Sequence, residues 1–388
     1  MGRSRLVAMR LALALVGLTL LLAPAGAARG EGSQQTGPPA LSARAFYLWS
    51  GVDGAVLASH AARTPRPIAS ITKLMTVLVA LDHLDLDDVV VVPRAATGIG
   101  EATIHLQTGQ RITVRELVEG ALIPSANDAA TTLACAAADG SIGRFVSWMN
   151  ERAVELGLTD THFVNPHGLD VPGHASSARD VVRLLRAALA NATIRRYAGT
   201  PRLELPTLGS FVTTDDLLTG YGPIVAGKTG HTNGAGWAEV AEARAGGVTV
   251  VGAVLGDPNR ETRNADLRSL LSWGLAQYRR VHLIDRGRVY ATARVPYGRP
   301  AVSLVAGRAF SRVQRVGVPL VQRVVAPVEV RLPVRRGQRL GDVRVYERGR
   351  LVAASPLRAA HSVKRPGLAG RVRWYATRTL RHLGSLVP

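Results

Sequence analysis

From Pro67 to Leu81 the chain reads PIASITKLMTVLVAL, with apolar residues Ile71, Leu74, Met75, Leu78 and Leu81 at spacings of three and four. Such spacing lines one buried face of a helix, so a helix is predicted from Ser70 to about His83. TVRELVEGALIPSANDAATTLACAAA repeats the pattern on both sides of Pro124. It predicts two helices with Ser125 and Asn127 on the loop between them, because proline cannot continue a helix. FVSWMNERAVELGL and SARDVVRLLRAALA are further amphipathic helices. Apolar runs of strand length take over elsewhere. ARAFYLWSGVDGAVLASH predicts a hairpin around Asp53-Gly54, and IVAGKTGHT, GWAEVAEA and VTVVGAVLG predict a meander followed by the helix TRNADLRSLLSWGLAQY. Helices grouped between antiparallel strands make the fold class α+β, an antiparallel sheet covered by helices. After residue 285 only short Val-rich strands between Gly, Pro and Arg turns remain, as in a small β-sandwich.

The two ends differ from this body. Residues 1–27 have a basic start (Arg3, Arg5, Arg10), an apolar run from Leu11 to Leu22 and the small triplet Ala25-Gly26-Ala27, which is the form of a cleaved secretory signal. The run is shorter than the ~20 residues a spanning helix needs. Residues 28–41 are a polar linker, and the reactive domain is expected over 42–282. Net charge divides sharply along the chain. The total of +20 comprises +3 before residue 28, −1 over 28–284 and +18 from 285 onward. That step marks a second, β-rich domain over 285–365. For an exported protein the acidic partners on offer are anionic lipid headgroups and wall polymers, so nucleic acid is set aside. The single cysteine, Cys135, allows no intrachain disulfide and falls in an apolar helical run as a small core residue.

The tail RVRWYATRTLRHLGSLV, within 371–388, is a candidate membrane-surface helix. Wound at 3.6 residues per turn, Val372, Tyr375, Ala376, Leu380, Leu383, Leu386 and Val387 gather on one face, with Arg371, Arg378, Arg381 and His382 opposite. Trp374 falls on the polar face, and the competing reading is a helix packed on its own β-domain.

Composition also isolates two cations. Of 48 basic residues only Lys73, Lys228 and Lys364 are lysines. An amine can lose its proton when desolvated, whereas a guanidinium stays charged. Ser70 and Lys73 lie one helical turn apart on the same side, so a neutral Lys73 could deprotonate the hydroxyl. Ser125-Ala126-Asn127 offers a hydroxyl to relay a proton and an amide to orient lysine and substrate. Lys228-Thr229-Gly230, on a strand, offers an ammonium and a hydroxyl for a carboxylate, and a glycine that leaves the strand edge open. Singly these are common helix caps and surface cations; in this order, with two of the three lysines inside, they are a specific signal.

Ser-x-x-Lys, Ser-x-Asn and Lys-Thr-Gly are the motif set of class A β-lactamases and penicillin-binding proteins. The chain resembles a D-alanyl-D-alanine carboxypeptidase, a low-molecular-mass penicillin-binding protein. FVNPHGLD, GHASSARD and GKTGHTNGAGW extend the likeness, and VRRGQRLGDVRVYERGRLVAASPL resembles that family's C-terminal β-domain, so that it covers roughly residues 42–388. One departure is VTTDDLL, where the family commonly shows asparagines. The resemblance implies a β-lactamase-like transpeptidase fold and acyl transfer: Ser70 as nucleophile, Lys73 as base, Ser125 as proton shuttle and Asn127 as orienter. It further implies that Lys228 and Thr229 bind the terminal carboxylate, that Gly230 and His231 line the substrate strand, and that the N–H groups of Ser70 and His231 form the oxyanion hole. Peptidoglycan stem peptides and β-lactam antibiotics are the implied partners, with no metal or other cofactor. His231 and the pair His167/His174 match no zinc-ligand spacing.

Two alternatives use the same residues. A class A-like β-lactamase needs a glutamate for deacylation, and no Glu-x-x-Leu-Asn occurs between Asn127 and Lys228. A non-catalytic wall scaffold would keep the pocket, and the intact serine and both lysines weigh against it.

Overall fold

A computed structural model of the chain describes residues 18–21, 37–205 and 208–384. Two compact units divide it, one from Ser33 to Arg279 and one holding everything from Arg280 onward together with the N-terminal strand.

The first unit is built on a five-stranded antiparallel sheet in the spatial order Val56–His60, Ala45–Ser50, Val248–Asp257, Gly236–Ala245, Ile224–Thr232. The hairpin and the meander are those expected, and the meander leaves Ile224–Thr232 as an edge strand. Helix Arg260–Ala276 lies against the meander. Small residues let it come close: a Cβ on Gly252 would meet Leu271 Cδ2 at 3.0 Å, and one on Gly274 would meet Leu48 Cδ2 at 2.7 Å. A second set of helices supplies the main core, including Lys73–Ala80, Val114–Leu122, Asn127–Ala137 and Ala178–Ala188. Local chemistry sets their limits. Thr113 and Glu116 form a reciprocal capping box, with the Glu116 N–H donating to Thr113 Oγ1 at 3.2 Å and the Thr113 N–H to Glu116 Oε2 at 2.9 Å. The break at Pro124 lies between two helices as expected, but Asn127 is the first residue of the second helix rather than part of the loop. Cys135 is buried in that helix.

The helix expected from Ser70 begins differently. Ala69–Thr72 is a 3₁₀ turn and the α-helix runs from Lys73 to Ala80. Ala69 has φ of +48°, a left-handed conformation that a non-glycine residue adopts only under constraint, and this tightens the entry to the helix.

The second unit carries a six-stranded antiparallel sheet ordered Leu18–Leu21, Leu320–Val325, Arg339–Glu347, Arg350–Ala359, Val302–Ala306, Val289–Ala293. Tyr278–Ile284 and Phe310–Arg315 form a two-stranded companion. Its apolar cluster includes Leu304, Val343, Val345 and Leu357. Four residues of the run read as a signal, Leu18–Leu21, pair with Val321–Val324; the rest of residues 1–27 lies outside the described residues. Helix Leu368–Gly384 follows the sheet. Trp374 meets Tyr297 edge-on at 5.5 Å, while Val372 and Tyr375 stay exposed. Leu386 and Val387 lie outside the described residues. No described helix is long and apolar enough to cross a membrane.

Candidate active site

The 3₁₀ turn at Ser70, the loop at Ser125 and the edge strand Ile224–Thr232 meet around an open cleft of about 480 Å³ lined by Ser70, Ser125, Asn127, Thr229, Gly230 and His231. All eight residues singled out in the sequence belong to this neighbourhood. Lys73 is fully buried at its floor.

Lys73 Nζ has three partners: Ser70 Oγ at 2.7 Å, Asn127 Oδ1 at 2.7 Å and the His167 carbonyl oxygen at 2.9 Å. A neutral amine has two N–H donors and one lone pair. Asn127 Oδ1 and the His167 carbonyl can only accept, so they take the two donors, and the lone pair is left for the Ser70 O–H. Burial pushes the Lys73 amine well below its ordinary range, and the nearby Lys228 charge pushes it the same way. Among the described residues no carboxylate pairs with it. Geometry and electrostatics therefore agree in leaving the lone pair of a neutral Lys73 directed at the Ser70 hydroxyl.

The FVNPHGLD segment is what brings the His167 carbonyl to Lys73. Asn165 Oδ1 accepts from the N–H groups of His167 at 3.2 Å and Gly168 at 2.6 Å, while its Nδ2 donates to the Leu169 carbonyl at 2.9 Å. Thr76 Oγ1 donates to the Pro166 carbonyl at 2.5 Å, tying this loop to helix Lys73–Ala80. Gly168 has φ of +93°, and a Cβ there would lie 2.0 Å from the Ala69 carbonyl oxygen, so only glycine fits beneath the Ala69–Thr72 turn. The histidines act as neutral structural groups. His174 accepts from the Val164 N–H through Nδ1 at 3.1 Å, which leaves Nε2–H to donate to Thr72 Oγ1 at 2.8 Å. Burial holds both His167 and His174 down to about 4.

Across the cleft, Lys228 Nζ donates to Ser125 Oγ at 2.8 Å and to the Thr229 carbonyl at 3.0 Å. Burial lowers Lys228 to about 7. Ser125 sits at φ +67°, an unfavourable conformation that aims its hydroxyl into the cleft. Thr229 Oγ1 shares a 2.6 Å hydrogen bond with Thr214 Oγ1. Asn127 Nδ2 donates to the Gly100 carbonyl at 3.1 Å, which leaves its second N–H free to orient a substrate. Gly230 has a tighter reason to be glycine than an open strand edge. A Cβ there would stand 2.5 Å from the Ile68 carbonyl oxygen and 3.2 Å from the Ser70 nitrogen. The strand is thereby pressed onto the Ala69–Thr72 turn. The His231 ring is exposed and stacks on Trp237 at 4.1 Å.

Residues 32–259 match the family model of the D-alanyl-D-alanine carboxypeptidases, peptidase family S11. The chain belongs to this carboxypeptidase family. The D-alanyl-D-alanine carboxypeptidase DacD of Salmonella typhimurium is 32% identical over 355 residues, covering 87% of this chain and 90% of the relative. DacF of Bacillus subtilis is 30% identical over 91% of this chain and 94% of its own length. Penicillin-binding protein 5 from Haemophilus influenzae superposes with a TM-score of 0.61 at 25% identity, over 84% of this chain and 99% of that one. The DD-transpeptidase of Streptomyces K15 gives 0.60 at 30% identity, over 62% and 99%. The α+β architecture read from the hydrophobic pattern is the fold of these penicillin-binding proteins.

Some residues of the carboxypeptidase cleft carried no assignable role in the sequence. The carbonyl of His167 is one, since a backbone acceptor leaves no side-chain signature. Glu101, Arg260 and Arg263 also line the cleft, and none of them belongs to a motif.

Proposed function

We propose that this carboxypeptidase removes the terminal D-alanine from peptidoglycan stem pentapeptides through an acyl-enzyme on Ser70. The observation that carries the reading is Lys73, buried, in hydrogen-bond contact with no described carboxylate and 2.7 Å from both Ser70 Oγ and Asn127 Oδ1. Ser70 Oγ attacks the carbonyl between the two D-alanines as its proton passes to Lys73. The oxyanion is held by the Ser70 and His231 N–H groups, whose segments Gly230 brings together. Lys228 and Thr229 hold the terminal carboxylate. Ser125, hydrogen-bonded to Lys228, passes its own proton to the departing amine and takes the one held by Lys73, which returns Lys73 to the neutral amine. Water then attacks the ester and regenerates Ser70. A penicillin presents a strained amide and a carboxylate in the same relation and acylates the same oxygen. Incubating the purified protein with a pentapeptide ending in D-Ala-D-Ala should release one D-alanine per peptide. Rapid penicillin turnover without D-alanine release would favour the β-lactamase reading, and neither activity would favour a scaffold.

The leader over residues 1–27 carries the chain out of the cytoplasm and is removed, and Leu18–Leu21 leaves the edge of the C-terminal sheet with it. The linker 28–41 and the domains over 42–282 and 285–365 then act in the wall compartment. Helix Leu368–Gly384 holds the protein on the outer face of the cytoplasmic membrane. Its Trp374 and Tyr375 both meet Tyr297 edge-on, at 5.5 and 6.2 Å, and Val372 and more than half of Tyr375 remain exposed, while the arginine-rich domain adds roughly 1 kcal/mol per basic residue near an anionic surface. Deleting residues 371–388 should leave penicillin binding intact and move the protein from pellet to supernatant in sedimentation with anionic liposomes. Full pelleting of the truncated protein contradicts the anchor.

A further inference from the structure

Behind Lys228 lies a buried pair of carboxyls that the acyl transfer above does not use. Glu239 is the cross-strand neighbour of Thr229 and is fully buried. Asp215 caps the short helix Asp216–Gly220, accepting the Leu218 N–H through Oδ1 at 3.0 Å. Its Oδ2 turns inward against Gly227, where a Cβ would lie only 2.9 Å away. Asp215 and Glu239 are in hydrogen-bonding reach of each other. Yet Asp215 Oδ2 and both Glu239 oxygens accept from no N–H or O–H among the described residues. Arg263 Nε stands 2.9 Å from Glu239 Oε2, but its N–H donates to Asn264 Oδ1, so this is a charge contact rather than a hydrogen bond.

Two carboxylates facing each other without donors repel; a proton between them turns the contact into a hydrogen bond. Burial raises both groups, Glu239 well above the usual carboxylate range; the charge and hydrogen bond of Asp215 raise Glu239 further, while that same hydrogen bond lowers Asp215, which places the proton on Glu239. The surrounding charges have their own partners. Asp216 is paired with Arg260 and lies 3.6 Å from Arg263. Glu242 is taken by Arg195 at 2.9 Å and Arg244 at 2.7 Å. Asp257, facing Arg263 from the next strand, is raised to about 8 by burial and Asp266. Lys228 and Arg263 are left facing the pair.

We propose that Asp215 and Glu239 hold one proton between them, and that the single negative charge left on the pair, set against Lys228 and Arg263, leaves these four groups with one net positive charge beside the substrate carboxylate. This deepens the carboxypeptidase reading and rests on it. With both carboxyls ionised the two cations would be cancelled before substrate arrived. With both neutral, Lys228 would lose the neighbouring charge that opposes its deprotonation. Asp215 and Glu239 are thus positioning residues acting through Lys228.

Infrared and ¹³C NMR spectra of the full, unsubstituted chain with labelled carboxyls test the pair without any turnover. At pH 7 a protonated carboxyl is expected that Asp215→Asn and Glu239→Gln each remove, besides the Asp257 signal that neither removes. Kinetics test the charge. Either single substitution keeps one carboxylate charge. The double variant loses it, and the alkaline limb of penicillin acylation should move down by about one pH unit, a tenfold loss on that limb, more than twice the shift of either single. A spectrum unchanged by both single substitutions, or single shifts that add up to the double, overturns the proposal. Failure to release D-alanine overturns the carboxypeptidase reading instead, and the spectra still decide the proton.

Discussion

Replacing Lys73 with arginine is expected to slow acylation by benzylpenicillin about 10²- to 10⁴-fold, the usual contribution of a positioned general base. Arginine brings a permanent charge, five donors and no lone pair, so nothing beside Asn127 Oδ1, the His167 carbonyl and the Ser70 hydroxyl is left to take the serine proton. Lys228→Arg is expected to lose far less, and mainly in KM, because a guanidinium also binds a carboxylate. The two lysines should also separate by pH. Protonating Lys73 removes its lone pair, so the rate falls on the acid side, through a pKa well below the ordinary lysine range. Deprotonating Lys228, held near 7 in the free protein, removes the charge that binds the carboxylate, so the rate falls on the alkaline side. Lys228→Arg should abolish that alkaline limb and leave the acid limb in place. Stopped-flow acylation across pH, with thermal unfolding to verify the fold, reads all of this. Equal small losses for the two substitutions would refute the division of roles.

Gly168→Ala should be the most damaging change that touches no reactive atom. Its Cβ would meet the Ala69 carbonyl oxygen at 2.0 Å and carbon at 2.5 Å, at a φ of +93°. Either the Asn165–Asp170 loop withdraws, taking the His167 carbonyl from Lys73, or the Ala69–Ser70 turn moves. The expected loss is about 3 kcal/mol or more, a fall in Tm of roughly 6–12 °C for a domain of this size, and acylation should fall with it. Gly173→Ala separates strain from clash. Gly173 has φ of +87°, but its nearest neighbour to a new Cβ is Val164 Cγ2 at 3.9 Å, so it should cost only about 1 kcal/mol and leave acylation intact. If Gly168→Ala behaves like Gly173→Ala, the nucleophile turn does not depend on the close approach beneath it.

What could be read in the sequence was whatever depends on neighbours along the chain. Pro124 broke a helical repeat and the structure breaks there. Lys73 and Lys228 stood out in an arginine-rich chain, and the fold buries both. What could not be read depends on register and on backbone. Glu239 and Glu242 look alike in GWAEVAEA, yet Glu242 meets Arg195 and Arg244 while Glu239 lies between Arg263 and Asp215. That difference comes from helix Arg260–Ala276 lying over one face of the meander. The 3₁₀ start at Ala69 was invisible because the glycines packed against it, Gly168 and Gly230, lie 99 and 161 residues away in sequence. The strands beyond residue 285 were recognisable by their Val-rich pattern, but their grouping into a six-stranded sheet with a two-stranded companion is set by long-range pairing that alternation alone does not specify.

The central claim is that the nucleophile is Ser70 Oγ. Mass spectrometry of the intact protein after benzylpenicillin, followed by peptide mapping, tests it most directly. One penicilloyl group per chain on the peptide containing Ser70, and none on Ser70→Ala, is the result expected. An adduct that persists on Ser70→Ala, or that maps to Ser125 or any other residue in the unsubstituted protein, would contradict it.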